Sequence, residues 1–184
     1  MISIEIKTFR ISLTFGFFFV LALTTLRDNR LGTMSLLFCI AHEFGHLAAM
    51  RIFGVNIHSL RFYGAGIKIT ADPMDALPKP ATALIYLAGV MTNLALAALL
   101  HGDLRTLNLS LAAFNILPIT YFDGGKLLEL FFPRRRFILT FLSAISYISL
   151  AFLIALTAYH NPHTLNPSAI MTFIFIAISC ILDV

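Results

Sequence analysis

Between Phe38 and Met50 the chain reads Phe-Cys-Ile-Ala-His-Glu-Phe-Gly-His-Leu-Ala-Ala-Met, a His-Glu-x-x-His pattern inside an otherwise apolar run. Ionisable side chains at membrane depth are costly, and where they occur they are usually functional. On a helix, residues four apart share a face, so His42 and His46 converge on one point. Neutral imidazoles are good zinc ligands, and Glu43 can reach a zinc-bound water without binding the metal itself. From the chain's own counts of His and Glu, the pattern would arise by chance roughly 0.3% of the time. Gly45 is a poor helix residue, but it permits close approach of a neighbouring backbone.

Composition supplies the context. Of 184 residues, 59% are hydrophobic and only 12% charged, about half the charged share usual in soluble domains. The expectation is an all-α polytopic membrane protein: one transmembrane metalloprotease domain over 1–184, with no separate soluble domain. Apolar runs suggest six spans, at about 11–26, 31–53, 81–100, 104–122, 137–158 and 168–182. Between the second and third, Val55, Ile57, Leu60, Phe62, Ile67 and Ile69 alternate in short bursts, read as a small β-hairpin insert. In the fourth, Pro118 lacks a donor and should kink or unwind the helix. No small-x-small site follows the first apolar run, so it does not read as a cleaved signal.

The net charge of +4 could suggest nucleic acid, but in a membrane protein Lys and Arg mark cytoplasmic loops. With six spans and the N-terminus inside, ten basic residues lie inside and three (Arg27, Arg30 and Arg105) outside. This predicts cytoplasmic N- and C-termini and no nucleic-acid partner. Arg134, Arg135 and Arg136 read as an anchor near anionic lipid. Cys39 and Cys180 lie in apolar runs and read as free buried thiols. His58, His101, His160 and His163 read as loop or interface histidines.

Catalytic zinc takes three protein ligands and leaves one position open, so two histidines are an incomplete set. The acidic candidates are Glu5, Asp28, Asp72, Asp75, Asp103, Asp123, Glu129 and Asp183. Most sit in expected loops or termini. Asp123 differs, because it follows the stretch around Pro118 and precedes Gly124-Gly125, where a carboxylate could be bent towards a metal. The residues alone leave it one candidate among several.

Two stretches together carry a family likeness. His42-Glu-Phe-Gly-His46 and Asn115-Ile-Leu-Pro118-Ile-Thr-Tyr-Phe-Asp123-Gly124-Gly125 resemble the site-2 protease family of intramembrane metalloproteases. That family has His-Glu-x-x-His in one span and Asn-x-x-Pro…Asp-Gly in a later one. The resemblance covers roughly residues 11 to 132, and the layout is similar to the subgroup that processes pro-sigma factors in sporulating bacteria. It implies one Zn²⁺ held by His42, His46 and Asp123, with Glu43 as catalytic acid/base. It also implies a membrane-spanning or membrane-associated protein substrate, a prokaryotic cytoplasmic membrane, and regulation by other membrane proteins or by the substrate. From these 184 residues the expectation is of neither the PDZ nor the CBS domain that many relatives carry. Gly89-Val-Met-Thr-Asn93 is similar to the family's Gly-Pro-x-x-Asn element, with Val90 in place of proline. Asn93 and Asn115 are thereby candidates for holding substrate or an oxyanion. Thr120 and Tyr121 stand where prolines are often found. The strands in 55–70 could receive an unwound substrate segment by strand addition. The competing readings are a catalytically silent metal-binding scaffold and a cation transporter. The near absence of ionisable residues from the first, fifth and sixth expected spans weighs against the transporter.

Overall fold

A computed structural model describes residues 2–6, 9–26, 30–63, 66–119, 122–133 and 136–160. The chain divides into two compact units, residues 1–115 and 116–184.

The first unit begins with strands, not with a membrane span. β1 (Ile2–Ile6) and β2 (Phe9–Leu13) form an antiparallel pair, and β2 runs parallel to β3 (Ile57–Tyr63). β4 (Gly66–Ala71) pairs antiparallel with β3, giving a four-stranded mixed sheet in the order β1-β2-β3-β4. The period-2 pattern explains it. Ile4, Ile11, Leu60 and Ile69 stand in one cross-strand row, whereas Glu5, Arg10, Ser59 and Thr70 stand in the next. Successive strand residues point to opposite faces, so the sheet has one apolar face and one polar face. The crossover from β2 to β3 carries α1 (Phe15–Leu26) and α2 (Arg30–Ile52). Phe17 of α1 packs edge-on against Phe62 of β3, ring centroids 5.4 Å apart.

α2 ends where Gly54 takes a positive φ of 74°, a conformation that favours glycine. The amide of Val55 then donates to the Met50 carbonyl at 2.9 Å. Met50, Val55 and Ile85 form the buried core beneath the sheet, with Ile57, Ile69 and Ala71 packed on it. A 3₁₀ turn (Met74–Ala76) leads to α3 (Lys79–Leu99), whose first turn holds Pro80 where its missing donor costs nothing. Residue Gly102, with φ of 59°, opens α4 (Gly102–Asn115), which packs along α3.

In the second unit, α5 (Asp123–Phe131) and α6 (Arg136–His160) follow an irregular segment. Phe137, Phe141, Ile145, Ile148 and Phe152 of α6 are exposed at helical spacing. A stripe of that kind suits lipid better than water.

These elements correct the expected all-α, six-span bundle with a small hairpin insert. The hairpin is half of a larger mixed sheet, and residues 11–13, expected at the head of the first span, belong to its second strand, Phe9–Leu13. Short alternation, Phe-Arg-Ile-Ser-Leu, was hidden there by the phenylalanine-rich helix that follows. The expected fourth span stops at Asn115, three residues before Pro118, and Asp123 starts a helix of its own. Among the described residues, one helix, Lys79–Leu99, is long and apolar enough to cross a membrane, and Thr140–Ser149 is a shorter apolar stretch. α2 is long enough, but it carries two arginines, two histidines and a glutamate. The expected last span, 168–182, lies outside the described residues.

The sheet's end is pinned by polar groups. The register shifts between Ile57 and Ser59, and the His58 ring nitrogen Nε2 meets Asp72 Oδ1 at 2.6 Å while Asn56 Nδ2 donates to Oδ2 at 2.9 Å. The bond from His58, and then that from Asn56, hold the Asp72 carboxyl below its ordinary value of 3.8. A depressed carboxyl contributes stability in full above its ordinary value and loses it as pH falls through the lower folded value. Hydrogen exchange at the Asp72 amide, which bonds the Asn56 carbonyl, should therefore accelerate only below pH 3.8. Asp72→Ala should show the fast exchange already at neutral pH.

Candidate metal centre

α2 buries one stripe, His42, His46 and Met50, at intervals of four residues. Glu43 is half-buried beside it, and Phe44 points outward. The two imidazoles face each other. Their Nε2 atoms are 3.1 Å apart and the rings meet edge-on, centroids 4.8 Å apart.

The opposite ring nitrogens decide what those Nε2 atoms are. His46 Nδ1 lies 2.7 Å from the backbone carbonyl of Ile85. A carbonyl can only accept, so Nδ1 carries the proton and Nε2 is left with its lone pair. His42 Nδ1 lies 3.2 Å from Asn93 Oδ1, again an acceptor, with the same result. Two nitrogen lone pairs thus point at each other in a buried place. They repel unless a proton or a cation lies between them. Metal-binding histidines commonly donate their second N–H to a carbonyl or carboxylate in this way, which fixes ring orientation and tautomer. The donor set fits zinc.

Close helix packing makes room for the rings. A Cβ on Gly89 of α3 would collide with His42 Nε2 and His46 Nε2. A Cβ on Gly45 would collide with the Thr92 hydroxyl and the Ala88 carbonyl. One glycine on each helix therefore lets α2 and α3 approach, and the close backbone approach expected of Gly45 is found. Gly89 was visible in the sequence only as part of a partial motif. What it does, leaving space for two imidazoles, needed the crossing of the helices.

In the second unit, Asp123 is the first residue of α5 and is buried. Lys126, one turn on, places Nζ 3.3 Å from its Oδ1. The helix start is covered by the preceding turn, since a Cβ on Gly124 would run into the carbonyls of Ile116 and Leu117. That turn is irregular, as Pro118 predicts. The Ile119 amide donates to Leu117 at 2.8 Å, the Phe122 amide to Ile119 at 2.8 Å, and Ile119 is fully buried. Ser143 of α6 donates to the Pro118 carbonyl at 2.8 Å, a support that no local pattern announces. Thr120 and Tyr121 lie outside the described residues. Asn115 closes α4 with its Nδ2 donating to the Leu111 carbonyl at 2.9 Å. Among the described residues, His42 and His46 in the first unit and Asp123 in the second are each buried and of the kinds that ligate metal.

Comparison with known proteins bears on the family and the fold. The model of "Peptidase family M50" matches residues 103–156. "Putative zinc metalloprotease Rip3" of Mycobacterium tuberculosis is 33% identical over 116 residues, covering 53% of this chain and 29% of that protein. The chain thus aligns with under a third of that relative's length. The solved structure titled "Site-2 Protease from Methanocaldococcus jannaschii" superposes with a TM-score of 0.62 at 21% identity, over 97% of this chain and 94% of that one. This chain has the fold of a site-2 protease. The family resemblance read from the two motifs is borne out in both sequence and fold.

Gly89→Ala should lose metal, measured as zinc per chain after purification, because its methyl group occupies the position of the ring nitrogens. Overpacking of this kind also costs about 1–3 kcal/mol of stability. Ser143→Ala should cost about 1 kcal/mol, the worth of one hydrogen bond, read from thermal unfolding.

Proposed function

We propose that the chain is a zinc endopeptidase of the membrane, hydrolysing a peptide bond in a membrane-spanning or membrane-associated protein. The observation that carries this reading is the pair of Nε2 lone pairs 3.1 Å apart, with Glu43 next in sequence. His42 and His46 supply two ligands. Asp123 is proposed as the third because it matches the Asp-Gly element of the resemblance and is a buried carboxylate. Zinc, when bound, supplies a Lewis acid that acidifies water and polarises a carbonyl. Glu43 takes the proton of the attacking water and passes it to the leaving amine. Holding both Nδ1 atoms on carbonyl oxygens fixes the tautomer and keeps the imidazoles aimed through this step.

Asn115 is proposed to meet the substrate backbone, as its motif suggests, and Asn93 to act on His42. A substrate helix must unwind before cleavage, because an intact helix hides its carbonyls. β4 lies at an edge of the sheet, which supports strand addition there as the way an unwound segment is received. The exposed stripe on α6 and the apolar α3 support a multi-pass membrane setting.

Glu43→Gln should keep zinc and abolish cleavage when co-expressed with candidate single-span membrane proteins. Cleavage retained by that variant would remove Glu43 from its role as base. Asp123→Ala should fall well below one zinc per chain, and full occupancy would sink the third-ligand assignment.

A further inference from the structure

Asn93 and Asn108 are both fully buried, and each has one polar atom with no partner among the described residues. In Asn93 it is the donor Nδ2, and in Asn108 the acceptor Oδ1. Leaving either buried and unmet is destabilising, so buried polar groups are almost always satisfied, by protein or by an ordered water.

The two deficits are complementary and stand at the same height. α3 ends at Leu99 and α4 begins at Gly102, a connection so short that the two helices must run antiparallel. Asn93 lies six residues before the end of α3, and Asn108 six residues after the start of α4. With equal rise per residue, they sit at one level of the hairpin. Asn108 already commits its Nδ2 to the Leu104 carbonyl at 2.9 Å. Its carboxamide is thereby turned so that Oδ1 is the atom left to accept.

We infer that Asn108 is a positioning residue for the metal centre, accepting from Asn93 Nδ2 through one buried water, since neither atom has a direct partner. A polar site with a donor and an acceptor is the kind of place where an internal water is retained. This inference rests on the reading of His42 as a metal ligand.

The chemistry gives the arrangement a purpose. The Asn93 carboxamide could face His42 either way round. With Oδ1 towards the ring, His42 Nδ1 carries the proton and Nε2 is free to ligate. With Nδ2 towards the ring, Nδ1 must accept, the proton moves to Nε2, and the ligand is blocked. An acceptor at Asn108 holds Nδ2 away from the ring. It thereby selects the ligating tautomer of His42 from two helices away.

The test uses the full chain carrying Glu43→Gln, so that zinc affinity is read by chelator competition with no dependence on cleavage. Groups that bond a ligand directly are worth 10–100-fold in metal affinity, so Asn108→Leu, one step further out, should weaken zinc by about three- to tenfold. Asn108→Ser, which keeps an oxygen and leaves room for a water, should bind as tightly as the parent. In an Asn93→Leu background, Asn108→Leu should have no further effect. Unchanged affinity in Asn108→Leu, or an equal loss in both backgrounds, would overturn the inference. Thermal unfolding of the metal-free protein tests the pair independently of the metal assignment. Because Asn93→Leu also strips His42 Nδ1 of its acceptor, the comparison is a double-mutant cycle: Asn108→Leu should cost clearly less in the Asn93→Leu background, where no Nδ2 donor remains to be stranded, than in the parent protein. Simply additive losses would overturn the inference as well.

Discussion

Two hydrogen bonds on the far sides of two rings govern the centre. With His46 Nδ1 on the Ile85 carbonyl and His42 Nδ1 on Asn93, both ring protons are placed and both Nε2 atoms are left as acceptors. Everything around them serves that arrangement. The α2 stripe sets the spacing of the rings, and Gly89 leaves their volume empty. Gly45 lets α3 come near enough for its backbone and its asparagine to reach them. The sheet and the core of Met50, Val55 and Ile85 then hold the ends of α2 and α3 together.

What could be read from the sequence was the chemistry, and what could not was the scaffold. His-Glu-x-x-His needs only the four-residue periodicity of a helix to be meaningful, and α2 supplies it. The helix ending before Pro118 was legible for a similar reason, since proline acts on its own turn. The strands at Phe9–Leu13 were not legible, because five alternating residues sit directly before an apolar helix and merge with it in any hydropathy window. The parallel pairing of β2 with β3 joins segments some fifty residues apart, which no local pattern encodes. Likewise, Ser143 on the Pro118 carbonyl and Gly89 under the imidazoles are products of packing. A serine or glycine in an apolar helix looks the same whether or not it does this.

The sheet also recasts the basic residues. Arg10, Arg61 and Lys68 were counted as loop charges that set orientation. In the fold, Arg61 is paired with Ser12 on one side and Lys68 on the other, while Arg10 pairs with Glu5 across the β1–β2 ladder. Cross-strand like charges such as Arg61 and Lys68 repel, so this polar face gains from water or from anions over it. The opposite face, carrying Leu60 and Ile69, is the one that meets the helices.

The two histidines are oriented by different kinds of group. His42 depends on a side chain, and one nucleotide change in the codon for Asn93 could remove its acceptor. His46 depends on the main chain of Ile85, which any residue at that position would provide as long as the helix persists. Mutational drift therefore reaches the two ligands unequally: the His46 arm is protected by the backbone, while the His42 arm is where a lineage could loosen, retune or silence its metal without disturbing the fold.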